Sequence, residues 1–194
     1  IHDDLHMRVV IIEDNQEKRT AFVNCDLLGF SNQQASRIRN LVAEEIGASA
    51  TDVFVACTHT HSAPTTGLLA FDSDEGAKDY LAFVYDKAVE AARAAVQHMR
   101  PAWLATGKIQ PHAWGFNRNT LADPTDPLFS RTRQYLDVLG TPKRSARADD
   151  VIDPELLVTW LSEEDGTTIA TLVNYACHPV VLGPDNQFVS ADYP

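Results

Sequence analysis

Two histidines stand two residues apart in Thr58-His59-Thr60-His61-Ser62-Ala63-Pro64, directly after Val53-Phe54-Val55-Ala56-Cys57, a run that reads as a buried strand. Side chains two apart on a strand point to the same face, so His59 and His61 are expected to converge where the strand gives way to a loop. Neutral imidazole is a common ligand of transition metals, and catalytic zinc sites typically draw on several histidines. An H-x-H pair does not by itself establish a metal site. A third histidine, His178, follows the alternating segment 168–175 and precedes Pro179, which lacks a backbone donor and ends the ladder. Two strand-end histidine clusters in one domain favour a shared site over separate structural histidines.

These blocks fall in a recognisable order. His2-Asp3 comes first, then Asp26-Leu27-Leu28-Gly29, the T-H-T-H-S-x-P block at 58–64, and Asn117-Arg118. Asn174-Tyr175-Ala176-Cys177-His178-Pro179 and Ser190-Ala191-Asp192-Tyr193-Pro194 complete the series. From end to end the chain resembles the N-terminal catalytic domain of the neutral/alkaline (non-lysosomal) ceramidase family, the T-H-T-H-S-x-P block being the most specific element. The resemblance implies a zinc-dependent amidohydrolase cleaving the amide bond of N-acyl-sphingosine (ceramide) or a related N-acyl lipid. It implies His59 and His178 as ligands of Zn2+, His61 beside the metal against the reacting part of the substrate, and Arg118 in substrate binding. The family's remaining ligands, a glutamate and a tyrosine, are expected beyond residue 194. One departure is local: Asn119 stands where the family has a serine.

Alternatives stay open at this point. A metallohydrolase of the same fold acting on a non-lipid amide or ester fits the same residues, as does a non-catalytic module keeping a partial metal site. Arg118 also fits a surface arginine paired with Asp123 or Asp126. Asp26 fits two roles equally: partner of a ligating histidine's second N–H, or anchor of the loop that follows it. Other H-x-H enzymes fit less well. Metallo-β-lactamase-like proteins expect H-x-H-x-D-H, and Ala63 and Pro64 occupy the last two positions of that pattern. TIM-barrel amidohydrolases carry H-x-H on their first strand, whereas two strands and a helix come before it here.

The elements that must position these residues follow from pattern. Segments 5–12 and 20–27 read as strands joined by the polar turn 13–18 into a hairpin. Ser31 with Gln34 fits a capping box, Ala35, Ile38, Leu41, Val42 and Ile46 recur at helical spacing, and Gly47 supplies the stop. After the H-x-H strand, Asp72, Ser73, Asp74 and Glu75 suit the start of a second helix running to about Met99, with Leu81, Val84, Ala88, Ala92 and Ala95 along its core stripe. Segment 102–110 reads as a strand. Residues 111–150 hold Pro111, Pro124, Pro127 and Pro142 with poor apolar periodicity, which predicts a long active-site loop. Two further strands, 156–161 and 168–175, flank the turn signal Asp165-Gly166. Ser190 to Pro194 reads as a loop with Asp192 as the cap of a helix start. The expected fold is α/β, a mixed β-sheet layered with helices, as a single domain over 1–194 that continues past both ends.

With 194 residues the chain suits one domain with a substantial core. A net charge of −11 argues against a nucleic-acid partner and against adsorption to anionic membranes. No apolar run approaches a membrane span. Three cysteines, Cys25, Cys57 and Cys177, without C-x-x-C spacing are not a disulfide framework; they read as small packing residues under the site, with metal ligation the lesser alternative. No signal peptide is visible, but the chain opens abruptly on Ile1-His2-Asp3, which is compatible with a leader upstream, so secreted, periplasmic and cytoplasmic settings all stay open. The oligomeric state has no signature.

Overall fold

In the computed structural model, which describes residues 1–68, 75–111, 152–183 and 186–193, the polar stretch after Glu13 closes a hairpin. Strands β1 (Met7–Glu13) and β2 (Arg19–Cys25) pair antiparallel, from Met7 opposite Cys25 to Glu13 opposite Arg19. Asp14 makes the turn. Its Oδ1 accepts the amides of Gln16 and Lys18, both at 2.9 Å, which is what a short acidic side chain does well in a tight loop.

Helix α1 (Asn32–Ile46) starts where the capping box predicts. The Ser31 hydroxyl accepts the Gln34 amide at 3.3 Å, and Gln34 Oε1 accepts the Ser31 amide at 2.8 Å, so two donors that the first turn would orphan are satisfied. Gly47 ends the helix at a φ of 67°, a left-handed conformation that glycine adopts without steric cost. A short 3-10 turn (Ala50–Asp52) then leads into β3 (Val53–Cys57), which pairs parallel to β2 with Cys25 opposite Cys57. Parallel neighbours need a crossover, and α1 provides it.

Helix α2 (Glu75–Gln97) packs on α1 and β1. Its buried stripe, Ala77, Val84, Ala88 and Ala92, is built of small side chains that let the helix approach closely. Ala21, Val23 and Cys25 of the central strand meet Ile38, Val42 and Ile46 of α1 in the core. Ile38 and Val42 are fully buried, and truncating either to alanine would cost about 2–4 kcal/mol. The acidic helix start expected at 72–74 lies outside the described residues.

Strands β4 (Trp103–Ile109), β5 (Leu156–Ser162) and β6 (Thr168–Tyr175) form a second sheet, antiparallel throughout, with a register shift at Leu161/Ser162. The β5–β6 turn carries Gly166 at a φ of 87°, and Asp165 Oδ1 accepts the Thr167 amide at 2.9 Å. The described chain divides into two units, residues 1–100 with 179–194, and residues 101–178. The α/β class stands, with the mixed sheet and its helices in the first unit. The long loop expected at 111–150 falls, from 112 on, outside the described residues. No described helix is long and apolar enough to cross a membrane.

Candidate metal centre

Beyond Cys57 the chain leaves the strand yet keeps following the exit of β2. The Thr58 amide donates to the Cys25 carbonyl at 2.9 Å and the His59 amide to the Leu27 carbonyl at 3.0 Å. His59 then takes a φ of 65°, an uncommon choice for a residue with a side chain, and the backbone turns there. Its Nδ1 lies 2.7 Å from the Leu28 carbonyl oxygen. A carbonyl only accepts, so Nδ1 carries the proton and Nε2 of the neutral ring keeps its lone pair.

His59 and His61 do converge, with ring centroids 5.0 Å apart and planes at 82°. The cause differs from the expected strand alternation. β3 ends at Cys57, and the left-handed turn at His59, together with its bond to Leu28, sets the pair edge to face. His61 is exposed and lines a cavity of about 230 Å³ with Leu28, Pro64 and Leu68 among its walls. The loop below is pinned from α1, where Gln34 Nε2 donates to the Thr66 carbonyl at 2.7 Å, and from Gly29, whose carbonyl accepts the Thr66 hydroxyl at 3.1 Å. Gly29 packs closely, since a Cβ there would meet Leu68 Cδ2 at 3.0 Å.

His178 follows β6 and is exposed, and Pro179 begins the return of the chain to the first unit. Within the first unit, His59 and His61 bring two ligand-type imidazoles together. The cysteines are poor ligand candidates. Cys25 sits in the core opposite Cys57, and its thiol is pushed up by the hydrogen bond with Cys57 and by burial, which disfavours the thiolate a metal needs. Burial also raises the Cys177 thiol.

Asp26 is fully buried, and both of its oxygens are engaged on the β1 side. Oδ2 accepts the His6 amide at 2.9 Å, and Arg8 Nη1 reaches the two oxygens at 3.1 and 3.0 Å. The acceptor on His59 Nδ1 is the Leu28 carbonyl, a backbone group that no side-chain pattern announces. Arg118 and Asn119 lie outside the described residues. The helix start expected after Asp192 lies outside the described residues. The Asp192 carboxylate accepts the amides of Val181 at 3.0 and 3.1 Å and of Leu182 at 3.0 Å, fastening the segment just past His178. Asp3, Thr60 and Ser190 also take structural parts that the sequence did not single out. The only hint was their place inside or beside the T-H-T-H and S-A-D-Y-P blocks.

Solved chains of similar shape exist. One is a ceramidase complexed with C2, at a TM-score of 0.70 and 20% identity, covering 98% of this chain and 28% of that one. Another is the neutral ceramidase from Pseudomonas aeruginosa, at 0.65 and 20% identity, covering 98% of this chain and 29% of that one. At such identity the likeness is one of fold, and the chain spans under a third of the length of these two. A family model described as neutral/alkaline non-lysosomal ceramidase, N-terminal, matches residues 1–193, and the chain belongs to that family.

Proposed function

We propose that the protein of which this chain is part is a zinc-dependent hydrolase cleaving the amide bond of N-acyl-sphingosine or a related N-acyl lipid. The observation that carries the reading is the state of His59 in a chain of this family. Its Nδ1–H rests on a backbone carbonyl, the support that a zinc-bound histidine typically has. The donors proposed are imidazoles, which suit zinc. In this reading His59 and His178 hold the ion, and the further ligands come from residues past 194.

A zinc ion held there would supply Lewis acidity toward a water and the amide carbonyl. The chain's own residues do the rest. His61, edge-on to His59, hydrogen-bonds the carbonyl oxygen as charge develops there, or passes a proton to the departing amine. Arg118, charged at every working pH, fixes a polar headgroup. The turn at His59 keeps the ligand and the acid–base group on neighbouring positions of one loop, so neither needs to reorganise when substrate arrives.

Metal analysis of the complete protein, with turnover of N-acyl-sphingosine and of short acyl amides, tests the proposal. It expects about one zinc per chain and hydrolysis that a chelator abolishes. Hydrolysis of short amides alone would move the substrate class away from lipid, and a metal-free protein with full activity would end the zinc reading.

A further inference from the structure

Thr60 stands between the two histidines and is fully buried. A threonine hydroxyl has one proton to give and lone pairs to accept with, and here both are used. Oγ1 donates to the Ser190 carbonyl at 2.8 Å and accepts the Ser62 amide at 3.1 Å. The Ser190 amide returns to the Ser62 carbonyl at 2.9 Å, and Asn186 Nδ2 holds the Ser62 hydroxyl at 2.8 Å. His61 is therefore flanked on both sides by residues tied to one segment far along the chain.

That segment is itself fastened. The Ser190 hydroxyl donates to Asp3 Oδ2 at 2.6 Å and accepts the Asp192 amide at 3.0 Å. Asp3 Oδ1 accepts the Ala191 amide at 2.6 Å, and the His2 amide donates to the Val189 carbonyl at 2.8 Å. Three pieces of chain, at residues 2–3, 60–62 and 186–192, close on Ser190, which is 2% exposed. Past the bonds of Thr58 and His59 to the exit of β2, residues 60–68 lie in no strand, and these bonds, with those to Thr66, hold their course.

We propose that Thr60, Ser190 and Asp3 are positioning residues for His61, a clasp that holds its imidazole in place for the reaction set out above. The inference rests on the reading of His61 as the group that meets the substrate. Its geometric content, that the Thr60 hydroxyl sets the course of the His61 loop, stands on the hydrogen bonds alone. A buried hydroxyl of this kind would act through register and not through charge. The loss of its bonds should be felt at His61 while the α1–α2 core stays intact.

The discriminating pair is Thr60→Val, which keeps the shape and removes the hydroxyl, and Thr60→Ser, which keeps the hydroxyl. In the complete protein stripped of metal, amide exchange at Ser62 and Ser190 should quicken about tenfold or more in Thr60→Val. Exchange at Ile38 and Val42 should be unchanged, and Thr60→Ser should restore the wild-type pattern. The ring-proton NMR shifts of His61, which sense the His59 ring, should move in Thr60→Val and return in Thr60→Ser. In the metal-loaded protein kcat should fall about tenfold with KM changed less than about twofold. Asp3→Asn, at a half-exposed position, should shift the same signals less and serves if Thr60→Val does not fold. Unchanged Ser62 exchange and His61 shifts, or equal acceleration throughout α1, would overturn the proposal. If the wild type cleaves no N-acyl amide, the functional reading falls, while the metal-free exchange and ring shifts still decide the clasp.

Discussion

His59 Nδ1 donates to the carbonyl of Leu28 across 2.7 Å, thirty-one residues back along the chain. The bond places the Nδ1 proton on that carbonyl, and the backbone turns at His59 with a φ of 65°. Two substitutions then separate holding an ion from using it. In the complete protein His59→Ala is expected to lose zinc and activity together. His61→Ala is expected to keep most of the zinc and lose turnover by about 100-fold or more, as for removal of an acid–base or oxyanion group. Zinc analysis beside rate measurements checks this, and equal zinc loss in both variants would make His61 a ligand.

Asp26 supports a different joint. Its buried carboxylate is matched by the Arg8 guanidinium, itself about half exposed, and by the His6 amide. Arg8→Ala leaves that charge with one partner fewer, at a cost discounted for solvent to about 1–3 kcal/mol. Chemical denaturation should show the loss, with zinc affinity within about twofold of wild type. Zinc lost without a change in stability would instead tie Asp26 to the metal.

The Asp3 carboxyl is held down to about 2, from an ordinary 3.8, first by the Ser190 hydroxyl, then by the Ala191 amide and His2. A carboxyl that ionises more readily in the folded chain stabilises it above the unfolded value, and that contribution fades as pH falls through the folded value. The stability gap between wild type and Asp3→Asn should therefore be complete above about pH 5 and close as pH approaches about 2. Melting curves across that range check it, and a gap independent of pH would mean that the carboxylate charge contributes nothing to the clasp.

Thr58 has a buried hydroxyl with no hydrogen-bond partner among the described residues. Replacing it with the isosteric valine removes the unsatisfied group, so Thr58→Val should be neutral or stabilising by about 1 kcal/mol. A loss of more than about 1 kcal/mol on denaturation would show that the hydroxyl has a partner after all.

The parts of this architecture that are local are the parts legible from sequence. Ser31 and Gln34 are three residues apart and make a capping box on their own, and Gly47 ends α1 for a reason contained in one residue. Asp165-Gly166 likewise closes its hairpin. The ordered blocks around His59 and His178 pointed to the family that the match over 1–193 then showed. Strand alternation, by contrast, says which side chains share a face but not which strands pair, so the division into two three-stranded sheets was not visible. The turn at His59 depends on an acceptor in the Leu28 backbone, and Asp3 finds Ser190 across 187 positions. Asp192 has a long-range part as well, since its carboxylate serves amides ten and eleven residues earlier.

The central claim is that His59 and His178 are ligands of one zinc ion with His61 beside it. Anomalous diffraction at the zinc edge from crystals of the complete protein measures this directly. The account predicts a single peak about 2.0–2.1 Å from His59 Nε2 and from a ring nitrogen of His178, with His61 outside bonding distance. A peak bonded to His61 and not to His178, or no peak at His59 in zinc-saturated crystals, would contradict it.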